Sequence, residues 1–321
     1  RRASDLAHIP SAEQSPGQPG RGAAAATSRT SMVTLAIQVL NSFYYASSLF
    51  LIACGLSLIY GVMRIVNLAH GSLYALGAYA TAGIVLAAGS LPPVFLFLLL
   101  PAGAVVAAVA GAVIEPTLLR PLYRRAEEYQ LLITFGLLLI LEDVMRFFWG
   151  ALPLFPSTPA DLLGSSSILG TTYPNYNFLV IAVGFLAAAL MWGFVYKTRF
   201  GVILRATSQD MRMTSALGVN VKRVYVLAFA IGCFMAGLGG AITVPITGAA
   251  MGMGVDALVL AFVVVVIGGL GSLEGALVGA IIVGFFRTLG INFFPEVELA
   301  ALYLVAAVIL LVRPAGLFGR P

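Results

Sequence analysis

Residues 256–288 read "DALVLAFVVVVIGGLGSLEGALVGAIIVGFFRT", an almost unbroken apolar run of 33 residues. A single membrane crossing takes about 20 residues, so this run is too long for one simple helix. Its middle, "GGLGSLEG" (268–275), collects glycines where a helix is weakest. The run is expected to form two short helices that meet at a turn within or near a membrane.

The rest of the chain has the same character. Of its 321 residues 60% are hydrophobic and 10% charged, with a mean hydropathy of +1.00. A soluble domain carries about 25% charged residues, so the bilayer is the main solvent here. The apolar runs are continuous rather than alternating, which favours helices over a barrel. Spans are read at about 34–61, 67–88, 92–114, 130–150, 177–196, 223–246, 256–288 and 298–313. The expected fold is all-α: a polytopic transmembrane helical bundle of eight or nine spans with glycine-broken helices.

Charge sets the orientation. One cationic cluster is Arg120, Arg124 and Arg125; a larger one is Lys197, Arg199, Arg205, Arg212, Lys222 and Arg223. Arg313 and Arg320 follow the last span. Two helices separate the first two clusters, so both clusters can be cytoplasmic. The loop 151–176 has no Lys or Arg and is expected outside. An inside C-terminus then requires the 256–288 run to count twice, a second reason to break it. Residue 32 falls outside by the same logic, and the arginines before it argue the other way. Residues 1–31, rich in Pro, Gly, Ala, Ser and Arg, are expected to be disordered, with Met32 as the natural start and 32–321 as a single transmembrane domain. The net charge of +5 sits in short loops and points to topology and lipid headgroups, not nucleic acid.

Enzyme chemistry has few places to live. No Gly-Lys-Ser/Thr occurs, and "GLGSLEG" lacks the G-x-G-x-x-G spacing. The histidines are His8 and His70 alone, and no metal-ligand spacing exists, so neither catalytic residues nor a metal site are expected. Cys54 and Cys233 lie in apolar runs and read as small buried residues.

The interrupted stretches carry more information. "RIVNLAHGSLYALGAYA" (64–80) places Asn67, His70, Gly71 and Ser72 inside a greasy segment. "GGLGSLEG" supplies Gly268, Gly269, Gly271, Ser272 and Glu274. A helix that starts inside a membrane presents free N–H groups and a dipole that can hold a carboxylate. These nine residues are candidates for a translocation path or its gates. Tight packing through small residues, as in "GALVG" (275–279), is the competing reading. "GSLYALGAY" (71–79) and "GSLEGALVG" (271–279) also hint at an internal repeat. Glu142 and Arg146 are spaced to pair on one helix face. Few other acids lie deep, which argues against proton or sodium coupling. Finally, "LRATSQDMRMTSALGV" (204–219) reads as a short amphipathic helix through Leu204, Met211, Ala216 and Leu217. It suits either the membrane surface or a cytoplasmic partner.

Three blocks now give a resemblance: "GLSLIYGVMRIVNLAHGSLYALGAYA" (55–80), "GVILRATSQDMRMTSALGVNVKRVYVLAFAIGCFMAGLGGAI" (201–242) and "VVVVIGGLGSLEGALVGAIIVG" (263–284). With the ending "LLVRPAGLFGRP" (310–321), the chain resembles the LivH-type permease subunit of bacterial branched-chain amino acid ABC transporters over about 34–321. The "N-x-A-H-G" element favours the LivH type over the LivM type. It departs in its N-terminal tail and in Leu68, where the family often has Phe. The resemblance implies a multi-pass subunit of the bacterial cytoplasmic (inner) membrane. Its implied partners are a LivM-like permease, two cytoplasmic ATPases and an extracytoplasmic binding protein. It implies no cofactor on this chain, ATP and Mg being used by the ATPases. Carried over residue by residue, Arg205, Ala206, Asp210, Ala216, Leu217, Gly218, Val219 and Asn220 fall on the segment that meets the ATPase. The implied cargo is a branched-chain or related small amino acid; urea or a short amide, and a stand-alone small-solute channel, remain open alternatives.

Overall fold

The computed structural model describes residues 21–319 apart from 89–90, 124, 169 and 294, with side chains from residue 33 onward except at 93 and 293. The helices are α1 (Arg21–Met63), α2 (His70–Ala87), α3 (Pro93–Leu99), α4 (Ala102–Ile114), α5 (Glu127–Trp149), α6 (Thr158–Leu163) and α7 (Asn175–Lys197). They continue as α8 (Arg199–Gln209), α9 (Met211–Ala216), α10 (Val221–Thr247), α11 (Met253–Gly268), α12 (Leu273–Phe293) and α13 (Glu298–Val312). A π-helical turn, Glu115–Leu119, prolongs α4. Of the expected tail, residues 1–20 lie outside the described residues, and 21–31 run helically into α1.

Every expected span has its helix. The 256–288 run splits as anticipated: α11 ends at Gly268 and α12 starts at Leu273. Gly269, at φ 107°, takes a turn conformation that a side chain would strain. By length and composition, five helices among the described residues are able to cross a membrane: Val33–Met63, Val94–Leu122, Asn175–Lys197, Val221–Thr247 and Leu273–Asn292. α11 and α13 are shorter apolar helices. The result is an all-α polytopic membrane bundle. One departure is a small antiparallel hairpin in the 151–176 loop, pairing β1 (Ser165–Ile168) with β2 (Thr171–Pro174).

Burial sorts the helices. Inside the most apolar windows, 83% of α1 and 67% of α10 is buried, against 28–39% for the spans of α4, α7 and α12. α1 and α10 thus form the centre, with α2 wedged between them and α4, and the rest present apolar side chains outward as lipid demands. α1 and α10 run antiparallel, since Gly55 meets Gly232 and Leu51 meets Gly239. α12 also opposes α1, with Gly61 against Gly271 and Ala46 against Gly284. The end of α1, the start of α10 and the 269–272 turn therefore share one end of the bundle. Arg120, Lys222 and Arg223 line a groove at that end. Leu317 and Phe318 donate backbone hydrogen bonds to Ile267 and Gly268 there, at 3.0 and 2.9 Å. The cation-free 151–176 loop occupies the opposite end, where Leu154 pairs with Ala249. That is the segregation the charge pattern called for.

A buried charge cluster at the basic end was not anticipated. Glu115, fully buried, takes the Arg120 guanidinium at 2.7 Å and the Tyr123 hydroxyl. Burial first, and then the bond to Glu115, hold the Tyr123 phenol well above its ordinary range. The cluster fastens the exit of α4 beside Tyr225 of α10.

Candidate functional site

α2 starts in the middle of the bundle, not at its edge. After Met63 the chain turns at Arg64, the one non-glycine among the described residues with positive φ (57°). It then runs back alongside α1. The His70 ring reaches Ile52 O, from Nε2, at 3.1 Å. From Ile52 to Met63 α1 rises about 16 Å. The return is made by irregular backbone at 64–67 and a turn at 68–69. Irregular backbone at this depth is tolerated only when protein surrounds it, and Ile65, Asn67 and Ala69 are all buried.

Local chemistry fixes the start. Asn67 Oδ1 accepts from Ala69 N–H at 3.1 Å, and Asn67 O accepts from His70 N–H at 3.2 Å. A carbonyl only accepts, so His70 Nε2 carries the proton and Nδ1 is the bare nitrogen. That Nδ1 and the Asn67 amide nitrogen are both buried without a partner. Gly71 sits where a Cβ would strike Gly254 O and Leu258. Ser72 Oγ donates to Leu138 O at 3.4 Å, joining α2 to α5. Asn67, His70, Gly71 and Ser72 thus form one contiguous buried polar locus.

The second group lies elsewhere. Ser272 O takes the Ser57 hydroxyl at 3.0 Å, and Gly271 packs on Gly61. These contacts lie about one and a half to two and a half turns of α1 away from the His70 bond to Ile52. Ser272 Oγ caps α12 by accepting from Gly275 N–H at 3.0 Å. Gly268 faces Gly275, Gly269 faces Gly319, and Glu274 is half-buried in the first turn of α12. The two sets of candidate path residues are not brought together.

Sequence reasoning passed over a third locus. Glu142 does not pair with Arg146 as expected; its Oε1 accepts from Gly252 N–H at 3.0 Å. Helical spacing permits the ion pair, but the backbone donor of the 248–252 turn takes the oxygen. A narrow crevice of about 10 Å³, room for about one water molecule, opens there, lined by Ser72, Tyr79, Glu142, Met145, Gly252 and Val255 among others. The available signal was a carboxylate inside an apolar span.

The 197–223 segment also differs from expectation. The amphipathic helix read at 204–219 is two helices broken at Asp210. Asp210, at φ −147°, leaves the helical region and caps α9 through Met213 N–H at 2.9 Å. Leu204 is buried, but Met211, Ala216 and Leu217 face out with Met213. Arg205 stacks over Tyr196, Ala206 is exposed and Val219 half-buried. Gly218 takes φ 84°, and Asn220 caps α10 through Arg223 N–H at 3.2 Å.

Comparison with known proteins agrees with this architecture. Residues 38–313 match the family described as a branched-chain amino acid transport system permease component. The chain is 30% identical over 295 residues to the high-affinity branched-chain amino acid transport system permease protein LivH of Salmonella typhimurium, covering 88% of this chain and 95% of that protein. The permease protein BraD of Pseudomonas aeruginosa gives the same figures. A probable branched-chain amino acid transport permease protein LivH of Methanocaldococcus jannaschii is 27% identical over 301 residues, covering 87% of this chain and 91% of that protein. No solved structure matches. The matched region takes in both helix breaks and the α8–α9 segment. The chain belongs to the branched-chain amino acid transport permease family and is a membrane permease component, not an enzyme.

Proposed function

We propose that the chain is one membrane subunit of an ATP-driven importer of the bacterial cytoplasmic membrane, translocating branched-chain or related small amino acids. It pairs with a LivM-like second permease. Two cytoplasmic ATPases bind at its basic end, and an extracytoplasmic binding protein delivers the substrate. The observation that carries ATP coupling is the α8–α9 excursion, which exposes Met211, Met213 and Leu217 beside the cationic groove. An apolar knob on a charged rim suits a protein partner better than open water. Movement of α8 and α9 by the ATPases would reach α10 through the Asn220 cap. It would then rock the bundle around the polar locus at Asn67, His70 and Ser72, where orphaned atoms find partners in the second state.

The test is uptake into proteoliposomes holding the assembled transporter, with leucine, valine and urea as separate cargoes. ATP-dependent uptake of leucine and valine is expected. Urea uptake alone, or uptake by this chain without any ATPase, refutes the assignment. Leu217, 78% exposed, is the cleanest docking probe, because Gly218 holds a positive φ that any other residue strains. Leu217→Arg is expected to abolish uptake while membrane insertion persists; normal uptake removes the segment from the docking surface.

A further inference from the structure

We propose that the crevice between α2, α5 and the 248–255 segment is a station for the ammonium group of the transported amino acid, with Glu142 as its counter-ion. The inference rests on the transport reading above and gives it a site.

Glu142 is out of place as a purely structural group. Its Oε1 holds the Gly252 N–H, a task that a neutral carbonyl performs equally well. The charge and the second oxygen are left over. Among the described residues the ion pairs are Arg120–Glu115 and Arg287–Glu298, and neither includes Glu142. Glu142 is half-buried near the end of α5 and lines the crevice without an ion-pair partner of its own, which makes an arriving cation a fitting partner.

The crevice also presents unused polar atoms. Tyr79 is fully buried, lines the crevice, and its hydroxyl has no hydrogen-bond partner. Ser72 spends its hydroxyl proton on Leu138 O, which leaves its oxygen lone pairs free to accept. A primary ammonium has three N–H donors. Glu142 Oε2, Tyr79 Oη and Ser72 Oγ supply three acceptors. Met145 and Val255 line the same crevice, whose size suits the ammonium head alone. Urea and amides carry no positive charge and leave Glu142 unneutralised, so the chemistry selects an amine.

Position adds to this. The crevice lies towards the end of the bundle that bears the 151–176 loop, with the Trp149 ring 5.9 Å from that of Tyr79. A solute handed over at that end meets Glu142 before it reaches the locus at His70.

Glu142→Gln tests the proposal in the assembled transporter, because it keeps an acceptor for Gly252 N–H and removes the charge. Leucine uptake at saturating binding protein is expected to fall at least tenfold, with the thermal midpoint of the complex and its basal ATPase rate retained. Wild-type uptake in this variant overturns the proposal and leaves the transport assignment standing. A second measurement stands apart from transport. Val255→Cys places a thiol in the crevice, while the native Cys54 and Cys233 are buried. Isobutylamine is expected to slow labelling of that thiol by a methanethiosulfonate reagent, whereas the neutral isobutyramide does not, and Glu142→Gln abolishes the difference. Equal effects of amine and amide overturn the proposal. Protection by the amine in a complex that moves no amino acid upholds the site and refutes the transport reading.

Discussion

At 64–69 the chain re-enters the bundle as irregular backbone closed by a turn and starts α2 beside Ile52; at 269–272 it turns within four residues and starts α12 behind a capping serine. Both breaks are rich in glycine and serine. They differ in depth and in what they leave unsatisfied. At the basic end Ser272 caps Gly275, its carbonyl takes Ser57, and the carbonyls of Ile267 and Gly268 take the C-terminal segment. In the interior, Asn67 Nδ2 and His70 Nδ1 remain without partners. Buried polar groups are nearly always paired, so an orphan donor and an orphan acceptor at one helix start mark a place where a second arrangement has something to gain. A fully satisfied break is a hinge pin or a corner. The interior break is the one suited to gating.

The largest test of this contrast is steric. A Cβ at Gly71 collides with the Gly254 backbone and Leu258, neither of which is the free end of a long side chain. A Cβ at Gly61 sits 3.1 Å from Gly271 O, a contact relieved by a small shift. Gly71→Ala is expected to cost about 3 kcal/mol and Gly61→Ala about 1 kcal/mol, the two ends of the usual range for overpacking. Thermal unfolding of both variants in one detergent measures the difference. The reverse order breaks the comparison.

Asn67→Ala comes next. It removes the acceptor of Ala69 N–H and strands that donor at full burial, an expected loss of about 2 kcal/mol. Uptake per folded complex is expected to fall as well, because the irregular entry to α2 loses its fixed turn. A variant as stable and active as wild type shows that the turn holds without its side chain.

Much of this was legible in the chain. Apolar runs of membrane length, ended by glycine or charge, fixed all the spans and the split at Gly268. Hydropathy is a local property, and lipid forces it to match structure. The depth at which α2 begins was not legible, because it depends on α1, α10 and α11 closing around 64–69. Nor was the partner of Glu142, since Gly252 lies 110 residues away. Arg146 was the only candidate a helical repeat could offer. The α8–α9 segment was read as one helix because its apolar positions keep the period; Asp210 breaks it by capping instead. His70 and Asn67 were recognisable as polar residues at a helix start, but their orphaned atoms emerge only from the packing.

The smallest expected effects come from the two serines of the shared Gly-Ser-Leu triplet, and they bear on the apparent repeat. In 71–73 the triplet lies inside the first turn of α2, and Ser72 reaches across to α5. In 271–273 it straddles the start of α12, with Leu273 as the first helical residue and Ser272 as the cap. The same letters thus fall in different registers of their helices. Ser272→Ala is expected to cost about 1 kcal/mol, as loss of a helix cap does, with uptake per folded complex unchanged. Ser72→Ala is expected to cost less, about 0.5 kcal/mol, since its bond to Leu138 O is long. Its uptake should fall nonetheless, because the crevice loses an acceptor. Stability and transport therefore move in opposite order at the two positions, and paired melting and uptake measurements separate them. Equal behaviour of the two variants means that the triplets do the same work and that the two breaks are one device used twice.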